Sequence, residues 1–195
     1  MPKTKQFDEA LVLQKARDVF WKKGYNATSM DDLVQATGLS RSSIYDTFTD
    51  KHGLYVQALQ QYQEFQRVGL TSDMPKGLSP RKKIEWLFNK SISASMADPD
   101  RKGCFMLNST TELANMDPRI SKEAVKNLEM MELLFLSWIK EGQASGEISK
   151  KFTAKAIAHH LNSSFNGLKL VAQTKPDKDA LRDIAKISLS VLDPD

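Results

Sequence analysis

The sequence holds one cysteine, Cys104, in 195 residues, so an intrachain disulfide is impossible and a disulfide-built secreted scaffold is argued against. No stretch approaches the roughly 18 apolar residues that a membrane span needs. The opening Met1-Pro2-Lys3-Thr4-Lys5 leads into no apolar signal segment, so a cytoplasmic location without a membrane partner is expected. Nucleophile-elbow, phosphate-loop and zinc-ligand spacings are all missing, which leaves catalysis without a foothold and calls for no metal or cofactor. The adjacent His159 and His160 would point about 100° apart on a helix and cannot grip one ion, and His52 has no suitably spaced partner. Charge of one sign is also scarce. The net charge is +4; residues 1–55 carry eight basic against seven acidic side chains, and residues 56–195 carry twenty against seventeen. Bulk charge permits a polyanionic partner but does not locate a face for it.

What is present is a composition of 41% hydrophobic and 27% charged residues, that of a globular protein with a core of its own. No internal repeat, low-complexity segment or alternating strand pattern interrupts a succession of helix start and stop signals, so the fold is predicted to be all-α. The first helix is expected over Asp8–Lys23, with an inward stripe of Val12, Ala16, Val19 and Phe20 and a stop at Gly24. Longer helices are expected at Lys51–Gly69, Ser79–Ala97, Gly103–Met116, Asp117–Glu141 and Thr153–Gln173, and a last one from Pro176 or Asp177 to near Leu192. Thr71–Leu78 reads as a linker, and Gly142 and Gly146 as the stop of the longest helix.

The information is densest between Thr28 and Lys51. Thr28 is placed to N-cap a short helix with Asp31 three positions on, Gly38 ends that helix, and Ser40 caps another over Arg41–Thr47 whose inner side is Ile44 and Phe48. Asp50 then caps the helix that begins at Lys51. Helix, glycine-bearing turn, helix is the helix-turn-helix plan, here as a three-helix N-terminal domain over residues 1–50 before a larger helical domain over 51–195. The outer side of the second short helix offers Arg41, Ser42, Ser43, Tyr45, Asp46 and Thr47, groups able to approach a base edge or phosphate. Lys51 and Thr28 sit at helix starts, where backbone N–H groups and the helix dipole favour an anion. Simple capping on a solvated surface would explain Thr28 alone, but not the whole row.

The run Gly24-Tyr25-Asn26-Ala27-Thr28-Ser29-Met30-Asp31-Asp32-Leu33, then Thr37 through Phe48, then Lys51 and Leu54, resembles the DNA-binding domain of the TetR/AcrR family of repressors. Gly103–Asn108 and Gly142–Ile148 resemble later segments of one branch of that family. The resemblance implies a homodimeric bacterial transcription factor, a repressor that binds a double-stranded operator and is released by a small-molecule effector. By the same analogy Tyr45 and Lys51 meet phosphates while Arg41, Ser42 and Ser43 lie nearest the bases. Asp46 and Thr47 stand where an aromatic residue and a histidine are common, and His52-Gly53 where an acid and a small residue are. Asp46, repelled by phosphate, is expected to accept from a cytosine amino group or to steady Arg41.

The last two helices carry more apolar surface than one core contact needs. Ala156, Ser163, Ser164, Gly167 and Val171 form a small-residue side opposite the stripe containing Ile157, Leu161 and Phe165, and Ala180, Ile184, Ile187 and Val191 lie beside Leu181, Ala185 and Leu192. Two faces per helix suggest a four-helix interface with a second copy, which would set the reading helices about 34–36 Å apart on a palindromic site. The middle of the chain is rich in aromatic residues and methionine, and the resemblance turns Trp86, Met106, Met130, Phe135, Trp138 and Phe165 into candidates for an apolar effector pocket. Cys104, after Arg101 and Lys102 and near a helix start, is a candidate redox or electrophile sensor of the kind some members of that branch use; a buried structural thiol is the alternative. Lys3 and Lys5 could add a minor-groove arm. Two other readings stay open at this point: an all-α small-molecule-binding protein or enzyme with structural N-terminal helices, and an architectural DNA binder without effector.

Overall fold

The computed structural model describes residues 7–194, so Lys3 and Lys5 lie outside the described residues. Among these, every regular element is helical: α1 Glu9–Lys23, α2 Met30–Thr37, α3 Arg41–Phe48, α4 Lys51–Asp73, α5 Pro80–Ala97, α6 Phe105–Leu113, α7 Pro118–Ser145, α8 Ala154–Thr174 and α9 Lys178–Leu189, closed by a 3-10 turn at Ser190–Leu192. The all-α expectation holds. No helix among the described residues is long and apolar enough to cross a membrane. The described residues fall into two compact units, one comprising those up to Val68 with Asn108–Ala124, the other Gly69–Leu107 with those from Val125 onward.

In the first unit α1 packs on α2 and α2 on α3. Asp8 caps α1, its Oδ1 accepting the Ala10 and Leu11 N–H groups at 2.9 and 3.3 Å. Val12, Ala16 and Phe20 turn inward as expected, whereas Val19 is only half-buried. Phe20 meets the Tyr55 ring edge-on at 4.9 Å, and Leu33, Ile44, Phe48, Leu54 and Leu59 close the core. Along α4 the buried side ends at Tyr62; Phe65, on the same helical spacing, is 65% exposed.

The cap of α2 is one residue later than the sequence suggests. Ser29, not Thr28, is the N-cap: its hydroxyl accepts the Asp32 N–H at 3.1 Å, and Asp32, not Asp31, returns the bond to the Ser29 N–H at 2.9 Å. Thr28 is turned inside, 1% exposed, and its hydroxyl donates to the Gly24 carbonyl at 2.6 Å. Thr-Ser followed by Asp-Asp satisfies the capping-box pattern in two registers, and burial of the threonine chooses between them.

Two expected helix ends also shift. α4 runs through Gly69 to Asp73, because one internal glycine costs a helix only about 1 kcal/mol, and Pro75 rather than glycine forbids continuation. α7 likewise passes Gly142, which serves a close approach instead of a stop: a Cβ there would stand 2.4 Å from the Ile148 Cδ1. α6 is shorter than expected, Phe105–Leu113.

The second unit is a helical bundle in which α5 packs on α8 and α9, and α8 on α9. Its core joins Ile84, Phe88, Phe135, Ile139, Leu161 and Phe165, all at most 3% exposed. Phe165 stands 5.2 Å from Phe88 and 6.1 Å from Phe135, tilted or edge-on, geometries that suit ring quadrupoles. Ser79 is the N-cap of α5, as expected, but its side chain makes no capping bond; its hydroxyl donates instead to the Glu147 carboxylate. Thr153 caps α8 as expected, and Asp177 caps α9.

Candidate nucleic-acid interface

α3 is eight residues long, too short to persist unaided, and it is pinned by Ile44 and Phe48, 0% and 1% exposed. Ser40 starts it: the Ser40 Oγ accepts the Ser43 N–H at 3.1 Å and lies 2.9 Å from both the Ser42 and the Ser43 hydroxyls. At its other end Thr49, a β-branched residue at φ +74°, sits in a strained left-handed conformation, and its N–H donates to the Tyr45 carbonyl at 2.9 Å.

With the inner side fixed, the outward side follows. Arg41, Ser42, Tyr45 and Asp46 are exposed, Tyr45 by 43%, while Ser43 and Thr47 are half-buried. Arg41 donates to Asp31 Oδ1 at 2.7 Å, so the acid that steadies it comes from α2 and not, as expected, from Asp46. Both partners are exposed, 55% and 86%, and a surface pair of this kind is worth about 0–1 kcal/mol, so the guanidinium is released at little cost. Thr28, by contrast, has its hydroxyl buried and committed to Gly24.

Lys51 opens α4, with Asp50 Oδ1 accepting the Gly53 N–H at 2.6 Å as the cap. Its ammonium lies over the Tyr25 ring, 4.4 Å from the centroid. Partial burial pulls the Lys51 pKa below the usual lysine value, opposed by the carboxylates of Glu112 and Asp32. Burial, with Asp50 and Asp117 nearby, pushes the Tyr25 phenol up. His52 pairs with the Asp117 carboxylate, which in turn accepts the Arg119 and Ile120 N–H groups at 2.9 and 3.2 Å and so starts α7. Tyr25, Asp31 and Glu112 carry this geometry without any local sequence signal; Glu112 is 87 residues from Tyr25 along the chain.

The six effector candidates do not form one group. Phe135, Trp138 and Phe165 belong to the core of the second unit, with Trp86 packed against it and the Lys90 Nζ 4.9 Å from the Trp86 ring. Met106 is buried, 3% exposed, outside that cluster, and Met130 is 36% exposed. Cys104 is half-buried and directly precedes the first residue of α6. The loop before it is ordered by Asp98, whose carboxylate accepts the Lys102 N–H at 2.7 Å, and by Gln173, which donates to the Lys102 carbonyl at 3.3 Å. Among the described residues no three His, Cys, Asp or Glu side chains are grouped as metal ligands; His159 pairs instead with Glu132 at 2.9 Å.

Residues 12–58 match the family model for bacterial regulatory proteins of the tetR family, and residues 80–187 match the tetracyclin repressor-like C-terminal domain. The chain is 33% identical over 195 residues to the uncharacterized HTH-type transcriptional regulator YezE of Bacillus subtilis, covering 99% of this chain and 100% of that one. It is 28% identical to the HTH-type transcriptional repressor ComR of Escherichia coli, over 95% of this chain and 89% of that one. A structure of the TetR family regulator CifR, a cysteine mutant in complex with 26bp double-strand operator DNA, shares the fold with a TM-score of 0.78 at 22% identity, covering 96% of this chain and 98% of that one. With both halves of the chain matched and a relative aligned end to end, the small-molecule enzyme with structural front helices is set aside: the chain belongs to the TetR family and is a helix-turn-helix transcriptional regulator.

Proposed function

We propose that this regulator is a cytoplasmic homodimeric repressor that holds a palindromic double-stranded operator through α3 and the start of α4, and leaves it when a small molecule binds within residues 51–195. The observation that carries the reading is the two-sidedness of α3. Ile44 and Phe48 anchor it, and Arg41, Ser42, Tyr45 and Asp46 face out. Arg41 leaves Asp31 for a guanine edge or phosphate, Ser42 and Ser43 approach bases, Tyr45 and Lys51 take phosphates, and Asp46 accepts from a cytosine amino group. Thr47, half-buried, borders the row, and Thr28 serves from inside by shaping the turn into α2. ComR, named a repressor, and CifR, solved on its operator, support the sign of regulation and the partner.

The dimer would form through α8 and α9. On α9 the residues Leu181, Ala185 and Leu189 are buried, while Ile187 is 73% exposed on the opposite side. On α8, Leu170 is 51% exposed and a Cβ added at Gly167 would meet open space. A palindromic operator would require the two α3 helices of such a dimer to lie about 34–36 Å apart, one turn of DNA. An apolar or aromatic effector would be accommodated by repacking of the core around Trp86, Phe135, Trp138 and Phe165; Met106 and Met130 lie outside that cluster and are separate candidates, and Cys104, directly before α6, is a second, chemical input. To switch usefully the effector must prefer the released state by about 1–3 kcal/mol.

The test is a footprint on the DNA upstream of the gene, titrated with salt and then with candidate effectors. A symmetric protected site whose affinity falls steeply with salt is expected. Protection that is absent, or insensitive to salt, overturns the reading; protection that no ligand relieves leaves an architectural DNA binder in its place.

A further inference from the structure

The turn between α1 and α2 is held from far away. Glu112, on the last turn of α6, accepts the Tyr25 N–H through Oε2 at 3.0 Å and the Asn26 N–H through Oε1 at 2.8 Å. Gly24 leaves room for this clasp: at φ +81° it bears no side chain, and a Cβ there would stand 3.0 Å from the Glu112 Oε2 and 3.3 Å from Oε1. One turn earlier on the same face of α6, Ser109 accepts the Tyr55 hydroxyl at 2.7 Å, and the Tyr55 ring meets Tyr25 at 4.9 Å. Tyr25 is therefore fixed through its backbone by Glu112 and through its ring by Tyr55, Phe20 and His52, and the Lys51 ammonium lies over that ring at 4.4 Å.

We propose that Glu112 is a positioning residue for operator binding: by clasping the α1–α2 turn it seats the Tyr25 ring beneath Lys51 and so holds the Lys51 ammonium ready for a DNA phosphate. The proposal rests on the reading of Lys51 as a phosphate contact. A lysine on its flexible four-carbon stem loses rotamer freedom when it is immobilised, and an ammonium already ordered on a ring loses less on binding. Charge works in the same direction. Tyr25 from the turn, Asp32 from α2 and Glu112 from α6 surround Lys51, and the two carboxylates favour its charged form against the burial that opposes it. Neither carboxylate holds the ammonium in a direct ion pair of its own: Glu112 is spent on two N–H groups, and Asp32 on Lys23 at 2.6 Å and on the cap of α2. The cation stays available to DNA.

A double-mutant cycle in the full-length protein tests this, with the gene's upstream DNA as probe and affinity measured over a salt series. Glu112→Leu removes both acceptors, Lys51→Met removes the cation, and Glu112→Gln retains one acceptor. Glu112→Leu is expected to weaken binding about tenfold and to flatten the salt dependence by about one released counterion, with Glu112→Gln about threefold. In the Lys51→Met background Glu112→Leu should have no further effect, because the two act through the same phosphate. Equal losses from Glu112→Leu in both backgrounds, or an unchanged salt slope, overturn the proposal and leave Glu112 a structural clasp. Should Glu112→Leu fail to fold, the same cycle is closed with Glu112→Gln, and exchange of the Tyr25 and Asn26 amides reports whether the clasp is loosened. The underlying reading fails separately: Lys51→Met alone would then bind with wild-type affinity and salt slope.

Discussion

The first unit and the helical bundle are held by different physics. In the first, α2 and α3 are eight residues each, and their ends are fixed by directional bonds: Ser29 with Asp32, Ser40 with the Ser43 N–H, Glu112 with the turn before α2. In the second, helices of 18, 28 and 21 residues converge on Phe88, Phe135 and Phe165, and the bonds at the ends are secondary to apolar burial. A reader of DNA must present polar groups outward at fixed angles, which short capped helices do. The proposed role of the bundle, taking up an effector, requires tolerance of repacking, and apolar contacts without fixed direction suit it. Mutations should therefore act by different amounts and through different observables in the two units.

The largest effect is expected in the bundle. Phe135→Ala leaves a cavity in a site with 0% exposure, and a loss of about 3–5 kcal/mol of stability in urea unfolding is expected. If it costs no more than the loss of one helix cap in the first unit, the contrast drawn above is wrong. Next comes Ile187→Lys, which puts a charge on the exposed side of α9 without touching its buried side. Weakening of the proposed dimer by about 2 kcal/mol or more is expected in sedimentation equilibrium, with the monomer still folded. A dimer of undiminished strength would move the interface away from α9. Arg41→Ala should follow, with a loss of about 1–3 kcal/mol in operator affinity and relaxed discrimination at one base position. Because its partner Asp31 is 86% exposed, no measurable change in thermal stability should accompany it.

The same contrast explains what could be read from the sequence. The helix count and the short helix over Arg41–Phe48 with Ile44 and Phe48 on its inner side were legible, because caps, glycine stops and a 3.6-residue period are local properties. Of the expected outer row Arg41, Ser42, Tyr45 and Asp46 are exposed while Ser43 and Thr47 are half-buried. Where a local pattern fits two registers it decides nothing: Thr28-Ser29 followed by Asp31-Asp32 offered two capping boxes, and only the burial of Thr28 selects one. Gly69 and Gly142 looked like stops because a glycine's letter does not tell a break from a close approach such as that of Ile148. Contacts across the chain left no trace. Nothing near Arg41 points to Asp31 rather than Asp46, and nothing near Tyr25 points to Glu112. In the bundle the aromatic residues were visible as a group, yet Met130 at 36% exposure and Phe135 at 0% are the same kind of letter in the same helix.

A smaller effect belongs to the cap itself. Ser29→Ala removes the acceptor of the Asp32 N–H and one side of the capping box, and a loss of about 1 kcal/mol in urea unfolding is expected. Thr28→Val, which keeps the buried β-branched shape but removes the hydroxyl, forfeits the bond to Gly24 and should leave the α2 cap intact. If α2 frays in Thr28→Val and not in Ser29→Ala, the cap lies on Thr28 after all.

The smallest effect separates the units by pH. The hydrogen bond from Lys23, reinforced by those from the Ser29 N–H and hydroxyl, holds the Asp32 carboxyl down at about 2, from an ordinary value of 3.8. A carboxyl whose folded pKa is depressed stabilises the fold above its unfolded value, and that contribution disappears as pH falls through the folded one. Wild type should therefore melt above Asp32→Asn at neutral pH, and the gap should close as pH falls through 3.8 toward about 2. The gap between wild type and Phe135→Ala should stay constant over the same window, because a cavity among rings binds no proton. A titration in which the Asp32→Asn gap is as flat as that of Phe135→Ala would mean that the first unit, too, is held by burial and that its directional bonds only decorate it.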